Sequence, residues 1–205
     1  MTEQRYTLSL IFLCTAAITD LIAPIFIGLQ YPGYSHITDT ISTLGTSSSP
    51  VQLYQCITLV FVGLIFLFFS IFQHRLFNQK SWAHKWYSIG IFIFSIGCIF
   101  AGVFPEDCKG TPETISGKIH GIASGVGFLF LILNPLWAFW IKEFRAMRKA
   151  NIVLFVLGLT SFIIFLSSEN VTSGILQYTG LFQRINLTIL YGALIINFSQ
   201  LNHSS

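Results

Sequence analysis

The chain has 205 residues, of which 53% are hydrophobic and only 9% charged, and its formal net charge is +3. An average soluble domain contains about 25% charged residues, and a soluble fold of this length cannot hide so much apolar surface. The composition therefore excludes a soluble protein and indicates one whose outer faces are solvated by lipid. We expect no nucleic-acid partner.

Six apolar windows follow one another along the chain, each close to the roughly 20 residues that a helix needs to cross a bilayer. They lie at about 7–29, 51–73, 86–104, 118–140, 151–167 and 182–201. The first window contains Asp20 and Pro24 and lacks a small-residue cleavage site, so we interpret it as a retained span and not as a signal peptide. The sequence predicts a single all-α domain over residues 1–205, a polytopic membrane bundle of about six transmembrane helices.

The distribution of Lys and Arg predicts the orientation, because these residues are retained in cytoplasmic loops. Eight of them precede span one, or lie between spans two and three or between spans four and five: Arg5, Arg75, Lys80, Lys85, Lys142, Arg145, Arg148 and Lys149. The opposite side holds only Lys109, Lys118 and Arg184. We therefore expect both termini in the cytoplasm, and in a bacterial host an inner-membrane protein whose outer side faces the periplasm.

The first outer loop carries a short helical pattern. Pro32 and Gly33 end span one, and Ser35 suits the N-cap of a helix that ends near Gly45. The apolar stripe of this helix would be Ile37, Ile41 and Leu44, and the polar stripe His36, Asp39, Thr40 and Thr43. The pattern predicts a short amphipathic helix at the outer surface, whose polar residues either form a site or satisfy local backbone groups.

Span four combines small residues with a histidine. Gly117, Gly121 and Gly125 recur every four positions and favour close helix packing. His120 and Ser124 run beside that stripe, so we expect the histidine to face protein. An ionisable residue inside a membrane span indicates a functional site, and a helix–helix hydrogen bond from the histidine is the alternative.

Asp20 lies in the outer half of span one, where an unpaired carboxylate is costly. We expect it to be either protonated or paired. Arg184, at the outer mouth of span six, is the best cationic candidate, followed by Lys118 and His120. A purely structural ion pair remains an alternative to a functional role.

Four sequence elements of the outer side form a recognisable set. They are Pro32-x-Tyr34-Ser35-His36-x-x-Asp39-Thr40-Ile41-Ser42-x-Leu44-Gly45, then Gly102-Val103-Phe104-Pro105-x-Asp107, then His120, then Gly180-Leu181-Phe182-Gln183-Arg184-Ile185. Together they resemble the membrane family catalogued as domain of unknown function (DUF) 998. The resemblance implies six spans and no assigned activity, and it suggests that Asp39, Asp107, His120 and Arg184 belong together. The long outer loop is also faintly similar to the DRAM/Frag/Sfk group of six-span proteins linked to lipid handling.

All these residues come from outer loops or outer ends of spans, so we expect the six helices to gather them into one pocket that opens outward. The first hypothesis is a protein that binds or carries a membrane lipid or a small polar ligand. Its ligand-binding residues would be His36, Asp107, Arg184, Asp20 and Ser124. In this hypothesis Arg184 holds a phosphate or carboxylate, and Asp20 titrates as a proton-linked site.

The alternative hypothesis is an intramembrane hydrolase that acts on a lipid ester. Its catalytic residues would be His120 as base, Asp39 as orienting carboxylate and Thr40 as nucleophile, with Thr38 or Ser42 as other possible nucleophiles. Asp107 is the alternative carboxylate, and Arg184 would stabilise the anion. Whether the chain is an enzyme stays open. We predict no metal and no cofactor, because neither an HxxxH nor an HExxH motif occurs among the outer residues.

Overall fold

The structure of the protein is a computed structural model that describes residues 3–77, 81–169, 171 and 173–202. Lys80, one of the cations that predict the orientation, lies outside the described residues. The described chain contains six long α-helices: α1 (Glu3–Gly28), α2 (Gln52–Leu76), α3 (Trp82–Val103), α4 (Ile115–Ala138), α5 (Arg148–Ser168) and α6 (Thr179–Ser199). Short 3₁₀-helices lie at Ser42–Gly45, Lys142–Met147, Ile175–Gln177 and Gln200–Asn202, and this part of the chain contains no strand.

All six helices are long and apolar enough to cross a membrane, so the prediction of an all-α, multi-pass membrane bundle is confirmed. The helices extend beyond several predicted windows. For example, α3 begins at Trp82 and α5 at Arg148, because polar and charged residues continue a helix past the apolar stretch that reveals it. The cytoplasmic location of the termini stays a prediction.

Helices that follow each other in sequence pack side by side, and α1 packs against α6, which closes the bundle. An aromatic cluster fills its centre: the ring of Phe66 lies 5.3 Å from that of Phe94 and 5.4 Å from that of Tyr191. The outward faces carry large apolar side chains such as Ile18 and Phe26, which are 60% and 62% exposed. A bilayer solvates such faces, which in water would be a large apolar patch.

The end of the bundle opposite the termini, here called the outer end, carries the loop between α1 and α2. The predicted amphipathic helix over residues 35–45 does not form in this loop. A turn over residues 36–39 is followed by the 3₁₀-helix Ser42–Gly45. Of the predicted apolar stripe, Ile41 and Leu44 are buried, whereas Ile37 is half exposed.

Contacts with α6 explain why the helix fails. A continuous α-helix needs the N–H of Ile41 to donate to the C=O of Ile37. Instead, the Ile41 N–H donates to Oε1 of Gln183 at 2.6 Å, and the Ile37 C=O accepts from the N–H of Leu181 at 2.9 Å. The first N–H groups of a helix lack intrahelical acceptors, and the Ile37 carbonyl accepts from one such group of α6, that of Leu181. This carbonyl is then not available to a helix within the loop.

Candidate functional site

A small interior cavity of about 50 Å³, here called the inner cavity, lies between the helices beneath the α1–α2 loop. Its polar lining consists of Asp20, Ser42, His120, Ser124 and Gln183. The remaining wall is mostly apolar. A space of this size holds a few water molecules and is too small for a lipid chain.

His120 is buried, and its two ring nitrogens have different partners. Nδ1 lies 3.0 Å from the carbonyl oxygens of both Ala101 and Phe104. Since carbonyl oxygens only accept hydrogen bonds, we assign the proton of the neutral ring to Nδ1. Nε2 is then an acceptor, and it lies 3.3 Å from Oγ of Ser42. A hydroxyl facing the basic nitrogen of an oriented imidazole is the arrangement that activates a nucleophile.

The hydroxyl beside His120 is not the one that the sequence analysis placed first. Oγ1 of Thr40 lies 2.9 Å from Oγ1 of Thr43, and among the described residues it forms no hydrogen bond with the histidine. Asp39 does not form a hydrogen bond with the histidine either. Its Oδ2 accepts from the N–H of Ser35 at 2.8 Å. The hydroxyl that faces Nε2 of His120 is therefore that of Ser42 and not that of Thr40. Two backbone carbonyls, and not a carboxylate, accept from Nδ1.

Asp20 is 4% exposed, and its partner is a tyrosine. The hydroxyl of Tyr191 donates to Oδ2 of Asp20 at 2.6 Å, while Oδ1 has no hydrogen-bond partner among the described residues. Arg184, the best cationic candidate from the sequence, does not contact Asp20 and has other partners. No spacing in the sequence pointed to Tyr191, because the two residues lie on the first and last spans.

Arg184 clamps the α1–α2 loop to α6. Its Nη1 donates to the C=O of Asp39 at 3.2 Å and to that of Gly180 at 2.9 Å, and its Nη2 donates to the hydroxyl of Tyr34 at 2.7 Å. Nη2 also lies 3.4 Å from Nδ1 of His36. Burial and the adjacent guanidinium lower the pKa of His36, which favours the neutral ring. Arg184 therefore holds the loop and does not line the inner cavity.

Asp107 anchors the start of α4. Its Oδ2 accepts from the N–H of Thr114 and its Oδ1 from the Thr114 hydroxyl, both at 2.7 Å. These bonds lower the pKa of Asp107. Thr114 is the N-cap of α4 and accepts from the N–H of Gly117 at 3.1 Å. A Cβ atom at Gly117 would collide with the Asp107 carboxylate, so the glycine permits this contact.

A second, wider cavity of about 400 Å³, here called the outer vestibule, lies among the loops of the outer end. Its charged lining residues are Glu106, Asp107, Lys109 and Glu169, and the others are mostly hydroxyl-bearing: Tyr31, Thr40, Thr43, Thr46, Ser48, Cys108 and Thr179. Thr40 lines the vestibule, and the next two residues of the loop line the inner cavity. The loop therefore separates the two cavities.

Two of the vestibule carboxylates were missed as site residues. Burial, with a further contribution from the nearby charge of Glu169, raises the pKa of Glu106 to about 7. Burial also raises the pKa of Glu169. The sequence analysis did not single out either residue, although acidic residues in two loops of the same end were a signal for their convergence.

No group of three or more His, Cys, Asp or Glu side chains within the described ranges is placed to hold a metal ion. His36, Asp39, Asp107 and His120, which carry side chains of the ligand type, have the separate local partners given above.

Six apolar spans that enclose small polar cavities at one end define a multi-pass helical membrane protein. The family model described as "Protein of unknown function (DUF998)" matches residues 14–198, so the chain belongs to this family, as its sequence elements predicted. The fainter likeness to the DRAM/Frag/Sfk group has no corresponding match. No curated protein is similar to the chain, and no solved structure matches it.

Proposed function

We propose that this protein is a membrane receptor or carrier that binds a small organic cation in the outer vestibule. The ligand class is an ammonium group, carried either by a free amine or by a lipid head group. The observation that carries the proposal is the vestibule itself, whose volume of about 400 Å³ lies within the range of roughly 300–1,000 Å³ typical of small-molecule sites.

The charge of the vestibule favours a cation over the anion considered from the sequence. Three carboxylates, Glu106, Asp107 and Glu169, face one ammonium group, that of Lys109. The arginine that would have held an anion lies outside this lining and is bonded to the loop. Burial is the main cause of the raised pKa of Glu106, and the charge of Glu169 adds to it. An ammonium ligand would relieve this second contribution.

Binding can be measured by titration calorimetry of the purified protein in detergent with ethanolamine and choline. Glu106→Gln/Glu169→Gln is expected to weaken binding at least about tenfold, since charge-assisted contacts are lost. Glu113→Gln is the matched control, because this exposed outer carboxylate pairs with Lys118 at 3.5 Å and does not line the vestibule.

The source of the ammonium group is resolved by a parallel measurement on lipids. Native mass spectrometry with phosphatidylethanolamine and phosphatidylglycerol of identical chains detects a lipid ligand, whereas calorimetry alone detects a free amine. The proposal fails if no amine or amine lipid binds, or if Glu113→Gln weakens binding as much as the double variant.

Hydrolysis of a lipid ester is the second candidate, favoured by the 3.3 Å contact between Ser42 Oγ and His120 Nε2. In this reaction Ser42 Oγ attacks the ester carbonyl carbon while His120 Nε2 accepts the hydroxyl proton. That proton passes to the departing alcohol, and water then releases the acid from the acylated serine. The loop that separates the cavities must open to admit the ester, since the inner cavity holds only about 50 Å³.

The hydrolase candidate is tested with a fluorogenic short-chain ester in detergent micelles. Ser42→Ala and His120→Ala are each expected to abolish turnover. Ser124→Ala is the control, because its hydroxyl also lies at the inner cavity but donates to the C=O of His120 at 2.6 Å. Turnover that persists in Ser42→Ala would eliminate this candidate.

A further inference from the structure

A groove of about 450 Å³ opens between α2 and α3 at the opposite end of the bundle, where the termini lie. Its wall carries Ile71, Ile89 and Phe92, and two cations, Arg75 and Lys85, lie at the end of this wall. The three apolar side chains are 42%, 40% and 45% exposed. In a membrane, these surfaces contact lipid chains while the two cations reach the level of the head groups.

We propose that this groove is a binding site for an anionic phospholipid of the leaflet on the side of the termini. The phosphate would lie between Arg75 and Lys85, and the upper part of one acyl chain would lie along the apolar wall. Both cations are exposed, and neither forms an ion pair within the described chain. Basic pockets between transmembrane helices suit anionic head groups, and a groove with apolar walls excludes a freely dissolved anion.

The base of the groove is rigid, because a serine joins the two helices. The hydroxyl of Ser88 on α3 donates to the C=O of His84 at 3.0 Å, so the serine oxygen acts as acceptor for its other partners. It accepts from Nε2 of Gln73 at 2.8 Å and from Nδ1 of His74 at 3.0 Å, both on α2. These bonds fix the separation of the helices that carry the two cations, and preorganisation lowers the entropic cost of binding.

The site lies at the other end of the bundle from the outer vestibule, so it does not depend on the proposed receptor or carrier function. The proposed site also gives two residues of the basic side a role in binding. The positive-inside rule accounts for the sign of Arg75 and Lys85, but not for their position beside an open apolar groove.

The proposal is tested by native mass spectrometry of the delipidated protein with phosphatidylglycerol or phosphatidylcholine of identical chains. The unmodified protein is expected to retain more phosphatidylglycerol than phosphatidylcholine. Arg75→Gln/Lys85→Gln is expected to weaken that binding roughly 30-fold, from the usual contribution of each basic residue near an anionic surface. Lys142→Gln/Lys149→Gln, which removes two exposed cations of the same side outside the groove, is expected to leave it unchanged.

A second variant keeps the proposal testable if the double substitution fails to fold. Ile89→Trp places a larger side chain in the groove and retains both cations. This variant is expected to lose the preference for phosphatidylglycerol over phosphatidylcholine. Equal retention of the two lipids by the unmodified protein would overturn the proposal. Equal losses in the two double variants would also overturn it, because they would show a general surface-charge effect.

Discussion

Gly180 is the position at which a single added methyl group is expected to disturb the outer end most. A Cβ atom there would collide with the backbone oxygen of Asp39 and approach Nη1 of Arg184 to 2.9 Å. The backbone oxygen cannot rotate away as the end of a flexible side chain can. Gly180→Ala must therefore push the α1–α2 loop away from α6.

The size of the effect follows from the contacts that this movement breaks. The hydrogen bond from Leu181 N–H to Ile37 C=O and the bond from Arg184 Nη1 to Asp39 C=O both span the loop and α6. Each such bond contributes about 0.5–1.5 kcal/mol net, and overpacking adds about 1–3 kcal/mol. We expect Gly180→Ala to lower the free energy of unfolding by about 2–6 kcal/mol, which corresponds to a Tm decrease of roughly 4–24 °C.

The measurement is thermal unfolding of the purified protein in detergent micelles, followed by far-UV circular dichroism. Gly192→Ala is the matched control, because Gly192 lies on the same helix with no atom within 4 Å of an added Cβ. We expect this control to keep the stability or to raise it by up to about 1 kcal/mol, because alanine favours a helix interior over glycine. Equal Tm values for the two alanine variants would refute the inference that the loop is clamped tightly to α6.

Three further predictions concern ionisable groups. Because the pKa of Glu106 is about 7, its carboxyl is neutral below that pH and charged above it. The affinity for an amine should therefore rise as the pH increases through about 7. Calorimetric titrations of Glu106→Gln should show a flatter pH profile. Hydrogen bonds with the side chains of Ser48 and Ser47 lower the pKa of Cys108 to about 7. Alkylation by a membrane-impermeant maleimide should therefore have its midpoint near pH 7, and Ser48→Ala should shift that midpoint upward; an unshifted midpoint would contradict this cause. Tyr191→Phe removes the only bonded partner of Asp20 in the described chain and should destabilise the protein by about 1–3 kcal/mol, whereas Asp20→Leu/Tyr191→Phe should recover part of that loss in a double-mutant cycle.

The membrane fold could be predicted from the sequence because hydropathy and span length depend on local residues alone. The failed helix in the first outer loop shows the limit of such reasoning. Ile37 and Ile41 have helical spacing, yet the partners of their backbone groups are Leu181 and Gln183. A periodic pattern cannot reveal a competitor that lies on the last span.

The candidate site could be predicted only in part for the same reason. His120 and Ser124 were found because an ionisable residue beside a small-residue stripe faces protein, and both line the inner cavity. The hydroxyl that faces the histidine could not be chosen among Thr38, Thr40 and Ser42, since a two-residue shift of the loop exchanges Thr40 for Ser42. Glu106 was missed because its burial arises from loops that meet only in three dimensions.

The clamp between the first outer loop and α6 also determines the order in which the protein can be assembled. The bonds from Ile41 to Gln183, from Arg184 to Asp39 and from Arg184 to Tyr34 join positions 142, 145 and 150 residues apart. At a synthesis rate of about 5–20 residues per second, roughly 7–30 s pass between the synthesis of the loop and the synthesis of its partners on α6. The first loop of the outer end is therefore among the last parts to become ordered, and a nascent chain with five spans still lacks the bonds that hold the loop between its two cavities.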